Sequence, residues 1–220
     1  MKLTDIEQAR FNMIEQQVRT WDVLDPQVLD TMSTIGREHF VPERYRSLAF
    51  SDTNIPLGHD QVMMAPKLEG RVLQALAIAA NDRILEIGTG SGYLTACLAH
   101  LGQHVTSYDI MPDFSAAAGE VLKENSISNV TLHTADAADG IEATTRYDVI
   151  AVTGSLPQLN QQFFNNLEPG GRLFVITGEL PIMEACLITR IDEQNWARES
   201  VLETCIPPLL NASRPQEFIF

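Results

Sequence analysis

The sequence predicts an α/β protein built on a doubly wound, mostly parallel sheet with an N-terminal helical extension. Three observations carry that reading. From residue 83 onward, short aliphatic and β-branched runs alternate with amphipathic helical stretches, the order that parallel strands and crossover helices require. One such run, Arg83-Ile-Leu-Glu-Ile87, enters Gly88-Thr-Gly-Ser-Gly92 and then an apolar helical pattern. Strand, glycine turn and helix in that order make a nucleotide-type site at the carboxyl edge of a parallel sheet. Two last strand-like runs flank Asp192-Glu-Gln-Asn195 and read as a closing hairpin.

The elements follow in order. Residues 4–20 keep a helical period, with Ile6, Phe11, Ile14 and Val18 apolar. Asp25-Pro26 caps a second helix over 27–35, since proline suits a first helical position. Pro42 leaves 39–46 irregular; 49–57 reads as extended, 58–66 as a loop, and 67–80 as an amphipathic helix. After the strand at 83–87, helices are expected over 91–102, 115–125 and 159–167. Strands are expected over 103–109, 129–134, 147–153, 172–177, 184–191 and 196–205, which makes seven in all. Glu168-Pro-Gly-Gly171 stops the last helix.

Composition excludes several classes. The 220 residues carry a net charge of −14, with a pI near 4.6. An acidic surface repels phosphate backbones, and the basic residues are scattered, so nucleic acid is not an expected partner. No window approaches the ~20 apolar residues that span a bilayer, and Met1 to Arg10 lacks the apolar core of a signal peptide. Cysteines 97, 186 and 205 are odd in number and lack metal-ligand spacing, so no metal site is expected and a cytoplasmic setting is. Cys97 falls on the apolar face after the glycine turn and reads as core.

The glycine turn is not the dinucleotide fingerprint, because Tyr93 or Thr95 stands where Gly-x-Gly-x-x-Gly needs its last glycine. The pattern Glu86-x-Gly88-x-Gly90-x-Gly92 resembles motif I of the class I S-adenosylmethionine-dependent methyltransferases. Asp109, 17 residues beyond Gly92, is placed to accept both ribose hydroxyls; the bland alternative is a cap on the next helix. The resemblance implies a Rossmann-like seven-stranded methyltransferase sheet with S-adenosyl-L-methionine as cofactor and S-adenosyl-L-homocysteine as product. It implies cofactor contacts at Glu86, Gly88, Thr89, Gly90, Ser91, Gly92, Asp109, Ile110, Asp136, Ala137 and Thr153. Asp136 would hold the adenine amino group, with Asp139 competing, and Thr153 would face the transferred methyl. Glu86 would either approach the cofactor's amino group or order the turn by accepting backbone N–H bonds. His59 would border the substrate pocket, whereas His104 reads as surface.

A narrower match follows in the N-terminal half. Met13-Ile-Glu-Gln-Gln-Val-Arg19, Asp25-Pro-Gln-Val-Leu29, Arg37-Glu-His-Phe-Val-Pro42, Ala49-Phe-Ser-Asp52 and Ile55-Pro-Leu-Gly58 resemble the protein-L-isoaspartate O-methyltransferases, as do Tyr147-Asp-Val-Ile-Ala-Val-Thr153 and Leu167-Glu-Pro-Gly-Gly-Arg-Leu173. The resemblance implies methylation of isoaspartyl carboxylates on a protein or peptide substrate. It also divides one domain, 1–220, into a helical extension with substrate-side loop (1–66), a cofactor-binding core (67–190) and a C-terminal strand and tail (191–220). One departure stands out: Gln61-Val-Met-Met64-Ala-Pro66 replaces the family's usual Gln-Thr-Ile-Ser before an x-Pro pair, so Met64 occupies the serine position at the reacting carboxylate. The usual Gly-Asp-Gly is here Ala135-Asp-Ala137. A different acceptor on the same fold and cofactor is one alternative, and a cofactor-binding protein without isoaspartyl transfer is another. Monomer against homodimer, and the role of the tail 211–220, stay open.

Overall fold

The computed structural model describes residues 3–141 and 145–214. Helix α1 (Leu3–Met13) continues through a π turn at Ile14–Val18 and a 3-10 turn at Arg19–Trp21, where Asp22 ends it in the left-handed region. Asp25 caps α2 (Pro26–Thr34) by accepting the Gln27 N–H, as Asp-Pro at a helix start predicts. Two further 3-10 turns, Arg37–His39 and Glu43–Leu48, fill the irregular stretch.

Only Ile55–Gly58 (β1) of the expected extended run 49–57 forms a strand, and the loop expected at 58–66 is half strand. Gln61–Met63 (β2) turns back on β1, pairing Met63 with Ile55 and Val62 with Pro56. His59 and Asp60 both sit at positive φ (50° and 57°), the twist that a two-residue hairpin turn needs. The dipeptide carries none of the usual Asn-Gly signal, which hid the hairpin. Helix α3 (Pro66–Leu76) ends four residues before the expected boundary, because Ala77 turns left-handed at φ 43°.

Beyond it run β3 (Arg83–Ile87), α4 (Tyr93–Leu101), β4 (His104–Asp109), α5 (Pro112–Glu124), β5 (Val130–Thr134) and β6 (Tyr147–Leu156). Then come α6 (Gln161–Asn165), β7 (Leu167–Glu179), β8 (Ile182–Arg190) and β9 (Trp196–Thr204). The expected helix 159–167 shrinks to α6 behind an Asn160 cap. Leu167 already pairs with Tyr147, and the register then shifts before Arg172 meets Val149, so Glu168-Pro-Gly-Gly171 is absorbed as an irregularity of β7.

The seven-stranded sheet has the order β5-β4-β3-β6-β7-β8-β9. Pairs up to β6–β7 are parallel; β7–β8 and β8–β9 are antiparallel. Alternate residues of the central strands face different layers. Ile84, Val149, Ala151, Phe174 and Ile176 pack with Met13, Val18, Met32, Leu73 and Leu98 from the extension, α3 and α4. Leu85, Ile87, Ile150, Val152, Leu173 and Val175 pack with Phe163 on the other side. The chain leaves β3 toward β4 on one side and returns as β6 on the other. The carboxyl ends of β3 and β6 therefore flank the topological switch point, where ligands of open α/β sheets bind.

Candidate active site

The glycine turn takes its shape from the strands around it. Gly88 N–H donates to Tyr108 O at 2.7 Å, holding the turn to the end of β4. Gly88 has φ +98°, and a Cβ there would lie 2.3 Å from Thr153 Oγ1, so only glycine fits. The Thr153 hydroxyl donates to Gly88 O (2.6 Å) and Ile87 O (3.0 Å). Thr153 thus lines the cavity, with its hydroxyl engaged in tying β6 to the turn.

Asp109 is almost fully buried. Its Oδ2 accepts Gly90 N–H at 2.8 Å and its Oδ1 accepts Met111 N–H at 2.9 Å. Burial pushes this carboxyl above its ordinary value, opposed by those two backbone donors. Thr89, Gly90, Ser91 and Ile110 join it in the cavity wall. Gly92 does not: it begins α4, and a Cβ there would meet Ala118 Cβ of α5 at 3.0 Å, so its position serves helix packing.

Glu86 departs from both expected roles. It has no exposed surface and lies outside the cavity wall. Its Oε2 accepts two hydroxyls, Thr95 Oγ1 (2.5 Å) and Ser107 Oγ (2.6 Å), while Oε1 has no partner. Ser107 Oγ also meets Thr89 Oγ1 at 2.6 Å. Burial lifts the Glu86 carboxyl to about 8 against the pull of those hydroxyls, so the acid is mainly neutral at pH 7. It supports the turn from below through Ser107 and Thr89, not through backbone N–H groups.

At the end of β5, Asp136 faces the cavity and Asp139 does not. Asp136 Oδ1 accepts Ala138 N–H (3.1 Å) and Oδ2 accepts Asn211 Nδ2 (2.8 Å); Asp139 Oδ2 accepts the Ser213 hydroxyl (2.8 Å). Ala137 completes that corner. His59 is corrected: it sits exposed in the hairpin turn, off the cavity, with Nε2 3.0 Å from Asp113 Oδ2. That contact holds the Asp113 carboxyl below its ordinary value. The His59 ring rests edge-on against Phe114 at 5.5 Å, and Phe114 rather than His59 lines the cavity.

The far wall is the β1–β2 hairpin with the chain that follows, through Leu57, Val62, Met63 and Met64. Met64 is nearly fully buried; its carbonyl accepts Arg37 Nη2 at 2.6 Å, and the next N–H, of Ala65, donates to Asn54 Oδ1 at 2.9 Å. Glu69, on α3, joins this wall and pairs with Arg37 Nε at 3.0 Å. Burial raises its carboxyl, and the Arg37 guanidinium opposes the rise.

Sequence reading missed the roof. After β9 the chain crosses the switch point as Ile206, Pro207, Leu209 and Leu210. Ser155 N–H and Oγ donate to Pro207 O and Ile206 O, each at 3.0 Å, and Leu209 N–H donates to Ser155 O at 3.0 Å. Nothing local in Ile206-Pro-Pro-Leu-Leu210 says where that segment lies. Of the tail 211–220, Asn211 and Ser213 latch to the two aspartates, and 215–220 lie outside the described residues. Among the described residues, the wall's carboxylates are Glu69, Asp109 and Asp136, with no lysine, arginine or histidine beside them. Among the described residues, no helix is long and apolar enough to cross a membrane.

A seven-stranded sheet closed by an antiparallel hairpin, with a glycine turn after β3 held by an acid at the end of β4, defines a protein of the class I methyltransferase fold. The profile of the protein-L-isoaspartate(D-aspartate) O-methyltransferase family matches residues 8–210. A Rhodopseudomonas palustris protein-L-isoaspartate O-methyltransferase is 34% identical over 206 residues, 93% of this chain and 94% of the relative. One from Methanoculleus marisnigri is 34% identical over 217 residues, 90% and 99% of the two chains. The chain therefore belongs to the protein-L-isoaspartate O-methyltransferase family. The fold agrees with a Plasmodium falciparum protein assigned to that family and crystallised with S-adenosyl-L-homocysteine. The two share a TM-score of 0.79 and 20% identity over 93% of this chain and 97% of that one.

Proposed function

We propose that this chain transfers a methyl group from S-adenosyl-L-methionine to the free carboxylate of isoaspartyl residues in proteins or peptides. The observation that carries the reading is one cavity framed by the Asp109-held glycine turn, Asp136 and the β1–β2 hairpin. When bound, the cofactor supplies an electrophilic methyl on a sulfonium. The residues suit that group. Each oxygen of Asp109 and Asp136 spends one acceptor site on the hydrogen bonds above and keeps another, enough for ribose hydroxyls at Asp109 and an adenine amino group at Asp136. Glu69 is already paired with Arg37; Asp109, Asp136 and the lack of a basic side chain among the described wall residues suit a ligand with cationic centres. Gly88 leaves the room that close approach to the turn requires.

A carboxylate acceptor is ionised near neutral pH, so no side chain need take a proton. The chain's task is alignment in a site that excludes water. Leu57, Val62, Met63 and Met64 shape and dry that side. Met64 brings no hydrogen-bond donor, which favours a second reading: the same donor site serving another acceptor. The whole chain, 1–220, is proposed to act as one domain with the division drawn from its sequence.

Transfer of labelled methyl to an isoaspartyl peptide, against its normal-aspartyl twin, tests the reading. Selective labelling of the isoaspartyl peptide is expected. Measurable cofactor binding with no labelling of either peptide would overturn the acceptor and leave the donor site. Under the second reading Met64→Ser raises isoaspartyl transfer from a low level, because the hydroxyl restores a donor.

A further inference from the structure

Arg37 has no exposed surface at all. A buried guanidinium is tolerated only where its charge and N–H groups are matched. Here each of its three nitrogens serves a different part of the chain: Nη1 donates to Ala49 O (2.6 Å), Nη2 to Met64 O (2.6 Å) and Nε to Glu69 Oε2 (3.0 Å). Two of these partners, Met64 and Glu69, belong to the cavity wall. The guanidinium also lies 5.6 Å over the ring of Tyr93, the first residue of α4 after the glycine turn. Phe40, three residues on from Arg37, packs edge-on against the same ring at 5.7 Å.

We infer that Arg37 is a positioning residue for methyl transfer: its planar fork sets the acceptor wall at Met64 against Tyr93, the first residue of the helix that follows the glycine turn. The inference rests on the isoaspartyl reading for its activity readout. A structural ion pair alone would need only Glu69. The further bonds to Ala49 O and Met64 O hold the two ends of the segment that contains the β1–β2 hairpin. That segment bears no other bond from a buried cation among the described residues. A lysine cannot replace the fork, because a compact ammonium has neither the planar face for Tyr93 nor three in-plane directions for three partners.

The test compares Arg37→Lys, the double variant Arg37→Met with Glu69→Leu, and the parent chain. The double variant removes both charges together, so no orphan ion is left to unfold the chain. Three readouts are taken: kcat and KM on an isoaspartyl peptide, S-adenosyl-L-homocysteine affinity by calorimetry, and the methyl resonance of Met64 in methionine-labelled protein. Met183, buried in β8 away from the cavity, is the internal reference for that spectrum. Both variants are expected to lose kcat by about tenfold or more, since small misplacements carry large kinetic penalties. In Arg37→Lys, which leaves Glu69, Asp109, Asp136 and the turn in place, S-adenosyl-L-homocysteine affinity is expected to stay within about threefold. The Met64 resonance moves or broadens while Met183 stays. An unmoved Met64 resonance in both variants, or parent-like kcat in the folded double variant, overturns the positioning role. A parent chain that labels no isoaspartyl peptide overturns the acceptor assignment instead, and the Met64 resonance still decides the role of Arg37.

Discussion

Glu86 shows at the scale of a single residue how local signal and tertiary surroundings divide the work. An acid before the glycine turn is plain in the sequence. Its partners are not, because Ser107 comes opposite it only through the β3–β4 register and Thr95 only through the packing of α4. The consequence is measurable. The folded carboxyl titrates near 8, well above the unfolded value of 4.5. Between those values the folded chain binds the proton that the unfolded chain has released, so stability falls as pH rises through that window. The slope is at most about 1.4 kcal/mol per pH unit, and it ends above the folded value. Urea midpoints from pH 5 to 9 should show the decline, and Glu86→Gln should flatten it. An unchanged slope in that variant would place the titration elsewhere. At Gly88, substitution by alanine forces a Cβ onto the Thr153 hydroxyl at positive φ. A loss of about 1–3 kcal/mol from backbone strain alone is expected, with weakened S-adenosyl-L-homocysteine binding by calorimetry. Asp109→Ala should weaken that binding further, since it removes both the proposed ribose partner and the carboxylate oxygens that accept the Gly90 and Met111 N–H groups.

Elements with a clear period were legible, and elements set by one unusual backbone angle were not. The strands at 83–87, 103–109 and 147–153 and the helices that follow 91 and 115 came directly from aliphatic runs and amphipathic spacing. The β1–β2 hairpin stayed hidden because His59 and Asp60 adopt positive φ without glycine or asparagine. The helix at 159–167 was overestimated because Leu167 is claimed by pairing with Tyr147. Of the residues that line the cavity, Asp109 and the glycine turn follow from spacing and Asp136 from the family resemblance, whereas His59, close in sequence to the wall, lies off it, and the roof at 206–210 has no local signal. That roof gives its own prediction. A Cβ on Gly154 would lie 2.6 Å from Leu209 Cδ2 and 3.2 Å from Leu209 N, so Gly154→Ala pushes the segment off the switch point. Overpacking of this kind costs about 1–3 kcal/mol. The melting temperature and the cofactor affinity should fall together, and a fall in neither would show that the roof is not seated on Gly154.

Across the whole molecule, the helical extension is built into the same apolar layer as the sheet. Met13, Val18, Val23 and Met32 are fully buried and share their cluster with Leu73, Leu98 and Ile84. Removing residues 1–35 should therefore expose the faces of α3 and α4 and abolish cooperative unfolding, seen as loss of a sigmoidal urea transition; a truncated chain that still unfolds cooperatively would make the extension a separate unit. Amide exchange should be slowest in β3 and β6, which are paired on both sides and covered on both faces, and faster in β5 at the sheet edge. The hydrogen bond from Asn211 to Asp136 has a thermodynamic side as well. A carboxylate that answers to two partners makes the occupancy of one felt by the other, by the same factor in both directions. With the adenine contact proposed at Asp136, affinity for the spent nucleoside is coupled to the seating of Asn211. Asn211→Ala should therefore change that affinity, and an unchanged value by calorimetry would uncouple the two.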